Sequence, residues 1–266
     1  MAYYRIEYFS NALRRTTSFE MYIPNDPRED FPVTSAYTDR PMRTLFLLHG
    51  YTGKAGNWAP EELAQKYNFC IVMPTAENSF YLDGEATGCA YQRLVGEELV
   101  DYVRKTFPVS RKAEDTGIAG LSMGGFGALY TALKHPDVFG WAAGLSSALI
   151  VHDVARMKPG DENPIANYAY YRMCFGDPGT LEESDNNPEV LLKKLKAEGK
   201  KLPEIYLACG TEDFLIENNR AMHRFLTDEG VKHTYVEGPG IHDMNFWSTY
   251  IRKAIPWMFD DGHPEG

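Results

Sequence analysis

The sequence predicts an α/β protein with a mostly parallel central sheet flanked by helices, and three observations carry that prediction. Continuous apolar runs bounded by glycine or proline recur from residue 43 onward. Runs without polar alternation are what strands look like when helices cover both faces of a sheet. Segments with helical spacing lie between the runs, and alternation of this kind implies parallel strands joined by crossover helices. The chain has 266 residues, enough for one domain with a large sheet and a core that needs no disulfide staple.

Taken in order, residues 3–9 and 17–23 alternate (Tyr4, Ile6, Tyr8; Phe19, Met21, Ile23) and suit antiparallel edge strands. Asn25-Asp-Pro-Arg-Glu-Asp-Phe-Pro then reads as a turn and loop. The buried strands are Thr44-Leu-Phe-Leu-Leu-His, Phe69-Cys-Ile-Val-Met-Pro, Gly117-Ile-Ala-Gly, Trp141-Ala-Ala-Gly-Leu-Ser, Ile205-Tyr-Leu-Ala-Cys-Gly and Thr234-Tyr-Val-Glu-Gly. Helical spacing falls at 60–67, 92–106, 125–135, 187–198, 217–229 and 245–259. One stretch breaks the rhythm: residues 148–186 form a long connection rich in Pro, Asp, Asn and Tyr. Long connections inside compact domains are usually functional, and this one suggests a small cap over a site within a single domain spanning 1–266.

Composition excludes several classes. Hydrophobic residues make up 44% and charged residues 24%, ordinary for a globular enzyme. A formal charge of −10 argues against a nucleic-acid partner, because phosphate binding needs a basic patch. The four cysteines (70, 89, 174, 209) show no metal-ligand spacing, so neither a metal nor a redox motif is expected. Cys70 and Cys209 read as buried thiols within strands. No basic-then-apolar leader and no run of 18 apolar residues occurs, so neither a signal peptide nor a membrane span is expected, and the simplest location is the cytoplasm.

The strongest chemical signal is Gly120-Leu-Ser122-Met-Gly124-Gly125, which follows a short apolar strand and precedes a helix-compatible run. That strand–turn–helix context marks a nucleophile elbow. Ser122 must sit on a sharp turn that pushes its Oγ out of the sheet, and side chains two residues to either side would collide; Gly120 and Gly124 remove them. A serine hydroxyl is a weak nucleophile without a base. Of the seven histidines, only His242, in Gly238-Pro-Gly-Ile-His-Asp, directly follows the last strand. It therefore lies on a loop at the carboxyl edge of the sheet, in the order Ser…Asp…His.

The orienting acid should follow the preceding strand, where Cys209-Gly-Thr-Glu-Asp-Phe offers Glu212 and Asp213. Asp213 is favoured, since the turn gains reach beyond Gly210, although residue chemistry alone separates the pair weakly. An oxyanion hole needs two backbone N–H donors. Met123, after the nucleophile, supplies one, and Tyr51 in His49-Gly-Tyr-Thr-Gly supplies the other. His49 reads as a structural hydrogen-bonding residue beneath that loop. Gly50, Trp58 and Phe214 are expected to contact substrate, and Phe80, Tyr81, Tyr91, Tyr168, Tyr170 and Tyr171 are further aromatic candidates for a pocket.

With these residues identified, the chain resembles the esterase D-like group of α/β-hydrolases, closest to bacterial tributyrin esterases and their feruloyl and acetyl-esterase relatives. The resemblance runs through Phe46-Leu-Leu-His-Gly-Tyr-Thr-Gly with Asn57-Trp58, Ile71-Val-Met-Pro, Phe80-Tyr-Leu-Asp and Glu97-Glu-Leu. It continues through Ile118-Ala-Gly-Leu-Ser-Met-Gly-Gly-Phe-Gly-Ala, Phe175-Gly-Asp-Pro, Cys209-Gly-Thr-Glu-Asp-Phe-Leu, Gly240-Ile-His and Trp247. It implies Ser122, Asp213 and His242 as a triad, Tyr51 and Met123 as oxyanion donors, and ester hydrolysis without cofactor or metal. Oligomers, including tetramers, occur among such relatives, so a homo-oligomer is admitted. The expected reaction is hydrolysis of short-chain acyl esters, with carbohydrate alcohols admitted and feruloyl esters as the alternative. S-formylglutathione hydrolases share the elbow but usually carry Thr-Cys in the oxyanion loop, where this chain has Thr52-Gly53-Lys54. An acyltransferase would share the triad yet exclude water, and a non-catalytic binding protein would have lost part of it.

Overall fold

The computed structural model describes residues 1–26, 30, 35, 37–56 and 58–261. Most of the turn expected from Asn25 onward lies outside the described residues, as do Asn57 and His263. Among the described residues eight strands form one sheet: β1 (Ala2–Ser10), β2 (Arg15–Ile23), β3 (Arg43–Leu48), β4 (Phe69–Pro74), β5 (Thr116–Leu121), β6 (Trp141–Leu145), β7 (Glu204–Gly210) and β8 (His233–Gly238). Their spatial order is β1-β2-β4-β3-β5-β6-β7-β8. Only β1–β2 and β2–β4 pair antiparallel; every other pair is parallel.

The helices are α1 (Glu61–Lys66), α2 (Tyr91–Arg93), α3 (Leu99–Thr106), α4 (Met123–Lys134), α5 (Val151–Ala155), α6 (Tyr168–Phe175), α7 (Pro178–Leu181), α8 (Pro188–Ala197), α9 (Ile216–Asp228) and α10 (Met244–Phe259). A π-helical turn (Leu94–Glu98) joins α2 to α3. Strand side chains alternate between two cores. Leu45 and Leu47 pack with Ile251, Ile255 and Phe259 of α10 on one face. Phe46 and Leu48 pack with Val103, Phe126 and Leu129 of α3 and α4 on the other. Both faces are covered, which is why the strands read as unbroken apolar runs.

Helix α4 is buried at every position from Met123 to Leu133, and its sequence is correspondingly apolar all round. Helices α8 and α10 start at side-chain caps. Asn187 accepts from Glu189 N–H ahead of Pro188, and Asp243 accepts from Phe246 N–H. Segment 148–186, legible only as an irregular connection, contains three short helices. Asn167 caps α6 and Asp177 caps α7 with Pro178 in its first turn. The Asn, Asp and Pro content that looked loop-like is the capping chemistry of helices too short to show a period. No helix among the described residues is long and apolar enough to cross a membrane.

Candidate active site

Four loops leave the carboxyl ends of β3, β5, β7 and β8 and meet at one point, where ligands bind in open α/β sheets. The loop after β5 is the sharpest. Ser122 holds φ +54° and ψ −117°, and its N–H donates to Leu145 O at 2.8 Å. This strained geometry survives because the neighbouring backbones approach closely. A Cβ on Gly120 would stand 2.1 Å from Gly124 O, and one on Gly124 would stand 2.5 Å from Leu48 O. Both glycines are therefore steric requirements of the turn.

His242 Nε2 lies 2.9 Å from Ser122 Oγ, and His242 Nδ1 lies 2.8 Å from Asp213 Oδ2 and 3.1 Å from Oδ1. A carboxylate can only accept, so Nδ1 carries the proton and Nε2 offers its lone pair to the Ser122 hydroxyl. Burial alone would raise the Asp213 carboxyl. The bonds from His242 and from Leu215 N–H outweigh it and hold the group below the usual carboxylate range. Glu212, the competing acid, points elsewhere: it is exposed, and its Oε2 accepts Gly240 N–H at 2.7 Å. His242 is sandwiched between Phe214, with ring centres 4.6 Å apart, and the edge-on ring of Trp247 at 4.9 Å.

The loop after β3 turns tightly, with Gly53 N–H donating to Gly50 O at 3.0 Å and Thr52 at φ +61°. Beneath it, His49 is buried, its Nδ1 2.8 Å from Gly50 O and its Nε2 accepting Ala76 N–H at 3.1 Å. Burial lowers its pKa and keeps the ring neutral. His49 is thus a structural part of the loop. Tyr51 N–H finds no partner among the described residues, and Met123 is the first residue of α4, where an amide lacks an intrahelical partner.

A cavity of about 1120 Å³ opens over Ser122. Gly50, Tyr51, Trp58, Met123 and Phe214 all line it, together with Phe80 and Tyr171. The other aromatic candidates do not. Tyr81 is fully buried, with its hydroxyl on His49 O at 2.9 Å. Tyr91 OH sits between Arg15 and Glu77. Tyr170 OH donates to Asn78 O at 2.7 Å, and Tyr168 faces a separate shallow depression. Sequence could place aromatics near the site but could not tell a lining ring from a supporting one.

Several wall residues carried no local signal: Ile150, Val154 and Met157 from segment 148–186, Leu215 and Asn218 from the β7 side, and Met244. Asp153, Asp161 and Glu162 line the same cavity, with Lys54 opposite them in charge. No group of three or more His, Cys, Asp or Glu side chains able to hold a metal occurs among the described residues.

An α/β-hydrolase sheet carrying a serine on its elbow, next to a histidine and a buried carboxylate, defines the serine hydrolase class. Similarity to known proteins narrows this class. The family model described as "Putative esterase" matches residues 10–258, so the chain belongs to that family and is a hydrolase. It is 40% identical over 262 residues to an acetyl esterase of Caldicellulosiruptor saccharolyticus, covering 97% of this chain and 98% of that one. Among solved structures it superposes on FphF, a fluorophosphonate-binding serine hydrolase of Staphylococcus aureus, with a TM-score of 0.83. That pair shares 29% identity over 98% and 99% of the two chains. An S-formylglutathione hydrolase of the same organism gives 0.80 at 28% identity, over 97% and 98%.

Proposed function

We propose that this protein is a serine carboxylesterase for short-chain acyl esters, with Ser122 as nucleophile, His242 as general base and Asp213 orienting it. The observation that carries the reading is the continuous Ser122–His242–Asp213 hydrogen-bond chain at 2.9 and 2.8 Å. Ser122 Oγ attacks the ester carbonyl while His242 accepts its proton, then returns it to the departing alcohol. Water activated by the same imidazole releases the acid. Tyr51 and Met123 N–H groups receive the developing oxyanion, at the free N-terminus of α4.

The similarity to an acetyl esterase supports a small acyl group, and a cavity of about 1120 Å³ leaves room for a larger alcohol, including a carbohydrate. In this reading the chain is one domain, residues 1–266, with 148–186 as the cap that walls the alcohol side. Thioester cleavage of S-formylglutathione is the second reading, favoured by the superposition at 0.80. Among the described residues of the cavity wall, three carboxylates against one lysine weigh against an anionic glutathione conjugate.

Hydrolysis of acetyl, butyryl, octanoyl and feruloyl chromogenic esters and of S-formylglutathione, by wild type and Ser122→Ala, tests this. The expected outcome is fastest turnover of acetyl or butyryl esters, lost by about 10⁴-fold or more in Ser122→Ala. Activity surviving the substitution would refute the nucleophile. Preference for the thioester or the feruloyl ester would replace the substrate.

A further inference from the structure

The loop after β4, residues 76–81, takes no part in the reaction as drawn, yet it is built under unusual constraint. Glu77, Phe80 and Tyr81 hold φ of +50°, +53° and +56°, and Thr52 next to them holds +61°. Residues other than glycine seldom occupy this region, and they persist there only where surroundings over-determine the backbone. Here the surroundings are hydrogen bonds to the 49–53 turn. Tyr81 OH donates to His49 O at 2.9 Å, Ala76 N–H donates to His49 Nε2 at 3.1 Å, and Asn78 Oδ1 accepts Thr52 N–H at 2.8 Å.

The peptide that matters lies between those ties. The Gly50–Tyr51 unit is planar and trans, so its N–H points opposite to its carbonyl. That carbonyl is held by Gly53 N–H and faces His49 Nδ1 at 2.8 Å. Asn78 fixes the next peptide through Thr52 N–H. Fixing both leaves the Tyr51 N–H one direction to point.

Asn78 is itself anchored from segment 148–186. Its carbonyl accepts from Tyr170 OH at 2.7 Å and lies 3.5 Å from Cys174 Sγ, both on α6. The Tyr170 ring also lies edge-on to the Tyr51 ring, 5.7 Å between centres at 74°.

We propose that Asn78 and Tyr170 are positioning residues that aim the Tyr51 amide, so that helix α6 sets the oxyanion hole through Asn78. This rests on Tyr51 being an oxyanion donor in the esterase reading. Removing a donor outright costs about 10²–10³-fold in turnover; misaiming one costs less.

The test measures kcat and KM for p-nitrophenyl acetate, the Ki of a trifluoromethyl ketone whose serine adduct carries the oxyanion, and the unfolding temperature. Asn78→Ala should lower kcat about 10- to 100-fold with KM within about twofold, and should weaken the ketone by a matching factor. Asn78→Asp, which keeps the acceptor oxygen, should recover most of kcat. Tyr170→Phe, which removes only the hydroxyl, should lose about three- to tenfold in both kcat and ketone affinity, and it decides the matter if Asn78→Ala does not fold. Asn78→Ala with wild-type kcat, or a loss that ketone affinity does not share, overturns the proposal. Ser122→Ala separates the two levels. If it remains active, the esterase reading is at fault; if it is dead while both positioning variants behave as wild type, only the positioning is.

Discussion

The elbow and the segment 148–186 face each other across one cavity, yet they are held by different physics. At the elbow, backbones touch: β5, the Ser122 turn and α4 are packed so closely that single Cβ atoms at Gly120 or Gly124 have nowhere to go. In 148–186 the helices are short and half-covered. Tyr171, Cys174 and Phe175 of α6 are buried while Met173 is 43% exposed. Side-chain caps fix the starts of α6 and α7. Steric exclusion leaves one permitted structure, whereas caps and small apolar contacts select among several. The elbow is therefore suited to hold reacting atoms, and the segment to shape what reaches them.

The largest effect expected lies with the reacting atoms. Asp213→Asn keeps the shape but presents an amide that no longer selects the Nδ1–H tautomer, and kcat should fall about 10³- to 10⁴-fold. Glu212→Gln, one residue away, should cost less than about tenfold, because Glu212 is exposed and ties down Gly240 N–H rather than His242. Steady-state kinetics of both variants check this. Equal losses would mean that the buried carboxylate is not the orienting one.

The contrast in packing has a direct stability test. Gly120→Ala places its Cβ 2.1 Å from Gly124 O, and it should destabilise by about 3 kcal/mol or more, because backbone must move. Gly179→Ala, in α7, meets nothing nearer than Asp177 Oδ1 at 3.5 Å and should be neutral or stabilise by about 0.5 kcal/mol. Denaturant unfolding of the two variants measures the difference. Comparable costs would break the distinction between the regions.

This distinction also explains what could be read from sequence. The parallel sheet and the meeting of Ser122, His242 and the β7 loop at one point were legible because each leaves a local mark: an unbroken apolar run, glycines flanking a serine, a histidine just past the last strand. Asp213 over Glu212 was decided by which carboxylate the turn buries, which residue type shows only weakly. Tyr81 and Tyr170 read as pocket candidates but stand behind the wall, because a supporting tyrosine and a lining tyrosine have the same composition. Asn78, Met157 and Asn218 left no mark, since their roles arise from contacts across the fold: Thr52 to Asn78, and α6 back to the β4 loop. Helices α5–α7 were missed because four to eight residues are too few to display a period.

The smallest expected effect belongs to an electrostatic tie at the back of that segment. His152 on α5 places Nδ1 2.7 Å from Glu182 and Nε2 3.1 Å from Glu189, joining α5 to the start of α8. Burial pulls its pKa down, but the bonds to the two carboxylates prevail and raise it above the ordinary histidine value. A histidine whose folded pKa is raised contributes stability that is fully present below its unfolded pKa of about 6.5. That contribution disappears as pH rises through the raised folded value. His152 is 45% exposed, so solvent screens the pair, and His152→Gln should lower the unfolding temperature by only about 1–2 °C near pH 6. The gap should close as pH rises past the raised value, and kcat/KM should stay unchanged because His152 does not line the cavity. A gap that instead widened with pH would mean that the neutral ring, packed against α8, is what holds the segment, making its physics the same close packing that governs the elbow.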